Sequence, residues 1–102
     1  MTEISKAKVL IIATDGFEQS ELFEPRRALL DAGAKVTIAS NKPEPIQGMK
    51  HREKGETIRP DASIHDVNPE DYDALVIPGG VANPDAMRME KDALVIVRAF
   101  FA

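Results

Sequence analysis

This 102-residue sequence contains no cysteine. That excludes disulfides, thiolate metal sites and a cysteine nucleophile within these residues. It also lacks an excess of positive charge: 13 Lys and Arg stand against 17 Asp and Glu, so neither a nucleic-acid surface nor an anionic membrane is indicated as partner. No apolar run approaches the length of a membrane span, and Met1 to Lys8 has no apolar core of the kind a signal peptide carries. The expectation is a soluble cytoplasmic protein. The length suits a single domain with a modest core.

What is present is a pattern of buried-strand signals separated by helical ones. Ala74-Leu75-Val76-Ile77 followed by Pro78-Gly79-Gly80 reads as a strand apolar on both faces that stops in a tight turn. Lys8-Val9-Leu10-Ile11-Ile12-Ala13 is a second such run, punctuated by Thr14-Asp15-Gly16. Burying each of its large side chains contributes about 1.5 to 3 kcal/mol, which places it centrally in a sheet. Between Glu18 and Ala32, Leu22, Phe23, Ala28, Leu29 and Ala32 share roughly one helical face, with Gly33 as the stop. Pro25 is tolerated only in a first turn or at a kink, so regular helix is expected from about Leu22 after an irregular lead-in. Lys35 to Ser40 is a further strand, and strand, helix, strand in this span is a parallel βαβ unit.

Asn41 to Pro45 reads as a Pro-rich loop, and Ile46 to Pro60 as a small exposed hairpin or pair of short strands. Ser63 to Val67 suggests one helical turn. Asn68-Pro69-Glu70-Asp71 has the order of an N-cap, a first-position Pro and first-turn acids. Asn83-Pro84-Asp85 repeats that signal, and Ala93, Leu94, Val97, Phe100 and Phe101 supply a helix stripe with Lys91, Asp92 and Arg98 at its polar edge. No cap, Gly or Pro closes this helix, and a three-stranded parallel core leaves an open edge. The expectation is therefore the front part of a longer domain, with another strand within about ten residues of Ala102.

Ligands of open α/β sheets sit beyond the carboxyl ends of the strands, where Gly79 and Gly80 lie. Two glycines there either meet the needs of a turn or let N–H groups face a developing negative charge. Glu18 and Glu21, three apart, would share a helix face at the same rim; acids in that place serve the helix dipole or point into the cleft. The first loop, Asp15-Gly16-Phe17-Glu18, is acidic and lacks the donor repeats of a phosphate cradle, and Pro78 stands where a receiver domain would carry an Asp. No flavin, nucleotide or other cofactor is expected. His51 and His65 lie in a polar segment without an evident acidic partner, so no metal site is expected either, and His51-Arg52-Glu53-Lys54 reads as a solvated surface. Asp85, behind a Pro, reads as a helix-start acid.

Three stretches together carry a resemblance: Phe17-Glu18-Gln19-Ser20-Glu21-Leu22 with Pro25, Asp71-Tyr72-Asp73-Ala74-Leu75-Val76-Ile77-Pro78-Gly79-Gly80, and Asn83-Pro84-Asp85. They resemble the ThiJ/PfpI superfamily, and within it the PfpI branch of intracellular proteases and stress-response deglycases. The resemblance runs from Lys8 to Phe101. It implies an α/β fold, a flavodoxin-like three-layer sandwich of the class I glutamine amidotransferase group, with 1–102 as the N-terminal part of one domain. It further implies a Cys nucleophile followed by His on a strand-to-helix elbow beyond Ala102, and a homodimer or higher homo-oligomer acting on peptide or on glycated, dicarbonyl-modified substrates. By the same resemblance Glu21 is the glutamate that hydrogen-bonds the nucleophile, and Glu18 a second acid beside it. Gly79 and Gly80 flank the nucleophile, with the Gly80 N–H as oxyanion donor, and Asp85 reaches across a subunit interface to orient the His. A non-catalytic stress or chaperone-like protein and a flavin or small-ligand domain are the other readings.

Overall fold

The computed structural model describes residues 4–79 and 84–100, the side chains of 84–90 excepted. The frame is a parallel sheet built on β1 (Lys8–Ile12), which lies between β3 (Lys35–Ser40) and β7 (Ala74–Val76). β1 takes the central place because its side chains are apolar on both faces. Leu10 and Ile12 face one way, into a cluster with Ala39, Ile64, Ala93 and Ile96. Ile11 and Ala13 face the other, into a cluster with Phe17, Leu22, Ile38 and Ile46. The period-two alternation of a strand thus divides one apolar run between two cores.

The helix α1 (Gln19–Asp31) covers the second face and α2 (Pro84–Phe100) the first, which makes three layers. α1 ends as the glycine predicts. Gly33 has φ of 91°, its N–H reaches the Leu30 carbonyl, and the Ala34 N–H reaches that of Leu29, a Schellman closure. The start of α1 differs from the sequence expectation. The helix begins at Gln19 and runs through Pro25 rather than starting near Leu22. Tertiary contacts set this start: β2 (Phe17–Glu18) pairs in parallel with β4 (Ile46–Lys50), and the Gln19 side chain accepts from the Glu56 N–H. Ala28, assigned to the buried face, is exposed, and Leu22 is the buried residue of the helix.

The hairpin of β4 and β5 (Glu53–Ile58) is present as expected, antiparallel, but it is not wholly exposed. Ile46 is fully buried, and Gly48 lies against the Phe17 ring. Together β2, β4 and β5 form a second, three-stranded sheet. Another difference concerns Ser63 to Val67, read as a helical turn. β6 (Ala62–Ser63) pairs in parallel with Ala39 and Ser40, extending the main sheet to four strands before a turn in which Asp66 N–H meets the Ser63 carbonyl. Asn68 caps a short 3₁₀ turn over Pro69–Asp71 by accepting from the Glu70 N–H, as the sequence order predicts.

Two aspartates guide strands into place. Asp73 donates its N–H to the Lys8 carbonyl while its carboxylate accepts from the Lys8 N–H. Asp61 does the same with both backbone groups of Ile38. β7 is an edge strand among the described residues, so the expectation of a strand buried on both faces fails: Leu75 and Val76 are half-buried and Ile77 is 51% exposed. Among the described side chains of α2, Ala93 and Ile96 are buried and Val97 and Phe100 half-buried. Leu94, placed on the stripe from the sequence, is exposed, because the i, i+3, i+4, i+7 positions from Ala93 form the true face. Phe101 and Asn83 fall outside the described residues.

Candidate functional site

From β1 the chain builds β3 and β6 to one side, then returns to lay β7 on the other. The strand order therefore reverses between β1 and β7 with all strands parallel, and the carboxyl ends of strands at such a sheet reversal are where open α/β sheets have the crevice that takes ligands. Gly79 follows β7 at this point. Its carbonyl accepts from the Glu18 N–H at 2.7 Å, and its own N–H donates to Glu21 Oε1 at 3.1 Å. The segment after β1 thus holds both polar groups of one residue after β7. A Cβ on Gly79 would lie 3.0 Å from Glu21 Oε1, so the missing side chain is what lets the carboxylate come this close.

Glu21 sits in the first turn of α1 and is exposed. Its position suits the helix dipole, yet its hydrogen bond goes to Gly79 across the crevice. Glu18 is the N-cap residue but makes no side-chain capping bond. Instead both carboxylate oxygens accept from the His51 N–H at 3.3 Å, and His51 Nδ1 lies 3.6 Å from Oε1. The two acids therefore engage different segments rather than one shared cleft, contrary to the face expected from their spacing. His51 is not without an acidic partner, and neither is His65, whose Nε2 lies 3.6 Å from Asp92 Oδ2. Those pairings join residues far apart in sequence, and no local pattern announces them.

The loop after β1 is occupied rather than open. Gly16 N–H donates to the Gln47 carbonyl, Phe17 N–H to that of Thr14 and Glu18 N–H to that of Gly79. These three N–H groups are taken up by the chain's own carbonyls, a second objection to a phosphate cradle beside the acidity of the loop. Asp15, the acid of this loop, accepts from Lys42 Nζ and from the Gln47 N–H. Burial pushes its carboxyl up, but the Lys42 ammonium and the Gln47 N–H outweigh that and hold it below the ordinary carboxylate range. Beside it the Thr14 and Ser40 hydroxyls donate to Asn41 Oδ1. Sequence reasoning missed this polar tie between the ends of β1 and β3. Gly80 and the side chain of Asp85 lie outside the described residues; the Asp85 backbone belongs to the first turn of α2.

Comparison with known proteins gives this geometry a setting. The chain is 38% identical over 94 residues to "Deglycase PfpI" of Pyrococcus furiosus, a match covering 92% of this chain and 54% of that protein. It is 37% identical over 93 residues to "General stress protein 18" of Bacillus subtilis, covering 91% of this chain and 52% of that one. The chain thus spans about half the length of the relatives it matches. Among solved structures, a two-domain protein from Anabaena variabilis with DJ-1/ThiJ/PfpI-like and ferritin-like domains superimposes with a TM-score of 0.80 at 29% identity, over 94% of this chain and 27% of that one. Oxidized DJ-1 of Toxoplasma gondii gives 0.72 at 30% identity, over 91% and 49%. The sheet reversal, the glutamate in the first turn of α1 and the glycine after β7 all fall within residues 7–102, which the DJ-1/PfpI family profile matches, and the chain belongs to that family.

Proposed function

We propose that these residues supply the acid and the backbone side of a PfpI-type cysteine-dependent hydrolase site acting on glycated, dicarbonyl-modified groups or on peptide bonds. The observation that carries this reading is the Glu21 carboxylate on the Gly79 N–H at the sheet reversal. The chain contains no cysteine, so in this reading the nucleophile and its histidine come from outside the 102 residues. Attack by a thiolate on a carbonyl carbon would place negative charge on its oxygen, and the Gly80 N–H is the donor assigned to it. Glu21 would hydrogen-bond the thiol and set its ionisation. Glu18 would hold the Gly79 carbonyl through its N–H, and Asp85 of a second copy would orient the histidine.

Turnover of a methylglyoxal adduct and of a peptide substrate, measured in a version extended past Ala102 through a cysteine and a histidine, tests this. Glu21→Gln is expected to lower kcat/KM by about a hundredfold or more, in the range of positioned acid–base groups. Unchanged turnover removes Glu21 from the mechanism. A second reading, a non-catalytic stress protein with the same fold, draws support from the Bacillus subtilis relative's name. An extension without a cysteine would favour it.

A further inference from the structure

The ladder between β4 and β5 carries one irregularity. Between the Gln47–Thr57 and Met49–Lys54 pairs, β4 spends a single residue, Gly48, and β5 spends two, Gly55 and Glu56. Such a bulge disrupts the ladder locally, and bulges recur where a strand is bent or re-aimed beside a site. Here glutamine side chains take up the backbone groups that the bulge frees. The Glu56 N–H donates to Gln19 Oε1 at 2.8 Å, and the Gly55 carbonyl accepts from Gln47 Nε2 at 2.9 Å. Gly55 has no positive φ, so its backbone does not call for glycine. A Cβ there would overlap the Gln19 amide oxygen, and the missing side chain is what admits Gln19.

Gln19 is the first residue of α1, and this helix start has no side-chain cap of its own. Glu18, at the N-cap, turns its carboxylate instead to the His51 N–H in the hairpin turn. A first turn without a cap is the part of a helix that frays. The hairpin takes the place of the cap, through the pairing of β2 with β4 and through Gln19 on the bulge. Two residues at 3.6 per turn lie about 200° apart, so Gln19 and Glu21 leave this turn on opposite sides. One is bonded to the bulge and the other to the Gly79 N–H. The first turn of α1 is thus held across its width between the two.

We propose that the β5 bulge is the docking point for the start of α1, with Gln19 and Gly55 as positioning residues that keep the Glu21 carboxylate on the Gly79 N–H. Gln19 fixes the rotation of the first turn, and Gly55 keeps the space that its amide occupies. That the Glu21–Gly79 bond serves a reaction rests on the hydrolase reading above; the docking rests on the hairpin and the helix alone.

The test follows the Gly79 amide in ¹H–¹⁵N spectra of the 102-residue chain between about pH 3 and pH 7, across the ordinary carboxylate range. An N–H that donates to a carboxylate is displaced as that group ionises, and Glu21→Gln is expected to abolish the displacement. Gln19→Ala and Gly55→Ala are expected to lose most of it while the amides of β1 and β3 stay in place. Gln19→Glu keeps an acceptor for the Glu56 N–H and is expected to retain it. Persistence in Glu21→Gln or in either alanine variant, loss in Gln19→Glu, or movement of the β1 and β3 amides along with Gly79 overturns the proposal. Turnover is read separately. In the version extended past Ala102, Gln19→Ala is expected to lower kcat about tenfold or more at nearly unchanged KM. Unchanged kcat beside a lost displacement leaves the docking standing and removes the Glu21–Gly79 bond from the reaction.

Discussion

At the scale of single residues, the acids of this chain divide by what they touch. Asp15 is tied to Lys42 and to the Gln47 N–H, and its carboxyl is held below the ordinary range. A carboxylate depressed in the folded state adds stability that is complete above its unfolded value, about 3.9, and is lost as pH falls through the folded value. Stability from urea unfolding should therefore fall more steeply below about pH 4 in the parent than in Asp15→Asn; equal slopes would show that this pair contributes nothing. At Gly79 the expected outcome is different. A methyl 3.0 Å from Glu21 Oε1 forces the carboxylate to yield, so Gly79→Ala should lower turnover of the extended protein while leaving its melting temperature nearly unchanged. The sequence spacing of Glu18 and Glu21 identified both as rim residues. It could not show that one bonds Gly79 and the other His51, because those partners lie 58 and 33 positions away.

At the scale of elements, strands and helix stops were legible where the local signal was apolar and continuous, as in β1 and β3, or conformational, as at Gly33. β2 and β6, two residues each, were not. So short a strand has no pattern of its own and exists only through its partner, β4 for one and β3 for the other. That dependence can be measured. A Cβ on Gly48 would lie 2.7 Å from the Glu56 carbonyl and 2.8 Å from the Phe17 ring, so Gly48→Ala should destabilise by about 1 to 3 kcal/mol and loosen the hairpin, read by denaturant unfolding and amide exchange at β5. Asp61→Ala removes the acceptor for the N–H of buried Ile38 and should cost about 1 to 3 kcal/mol, with Asp61→Asn recovering part of it. A loss below about 0.5 kcal/mol, typical of an indifferent surface change, would mean that water replaces the carboxylate.

At the scale of the molecule, the layers follow from β1. Its alternation sends Leu10 and Ile12 to the α2 side and Ile11 and Ala13 to the α1 side, and the sheet reversal beside it brings Gly79 to Glu21. In the hydrolase reading this arrangement holds only part of the chemistry. The 102-residue chain alone should therefore show no turnover of methylglyoxal adducts above background, whereas extension through a cysteine and a histidine should restore it. Activity in the unextended chain, checked by release of product from the adduct, would reject a thiol mechanism outright, since no thiol is present.

The sequence by itself determined the fold class, the central strand, the parallel βαβ unit and the rim on which Glu18, Glu21 and Gly79 lie. Those features arise from local periodicity and from the conformational limits of Gly and Pro, which act over a few residues. Tertiary structure alone decided where α1 starts, that β7 pairs on one side only among the described residues with Ile77 exposed, that Leu94 faces outward, and which partner each acid takes. Each of these is fixed by a pairing or a packing contact between distant segments. A single hydrogen bond or register choice between such segments leaves no trace in the pattern of residues on either side of it.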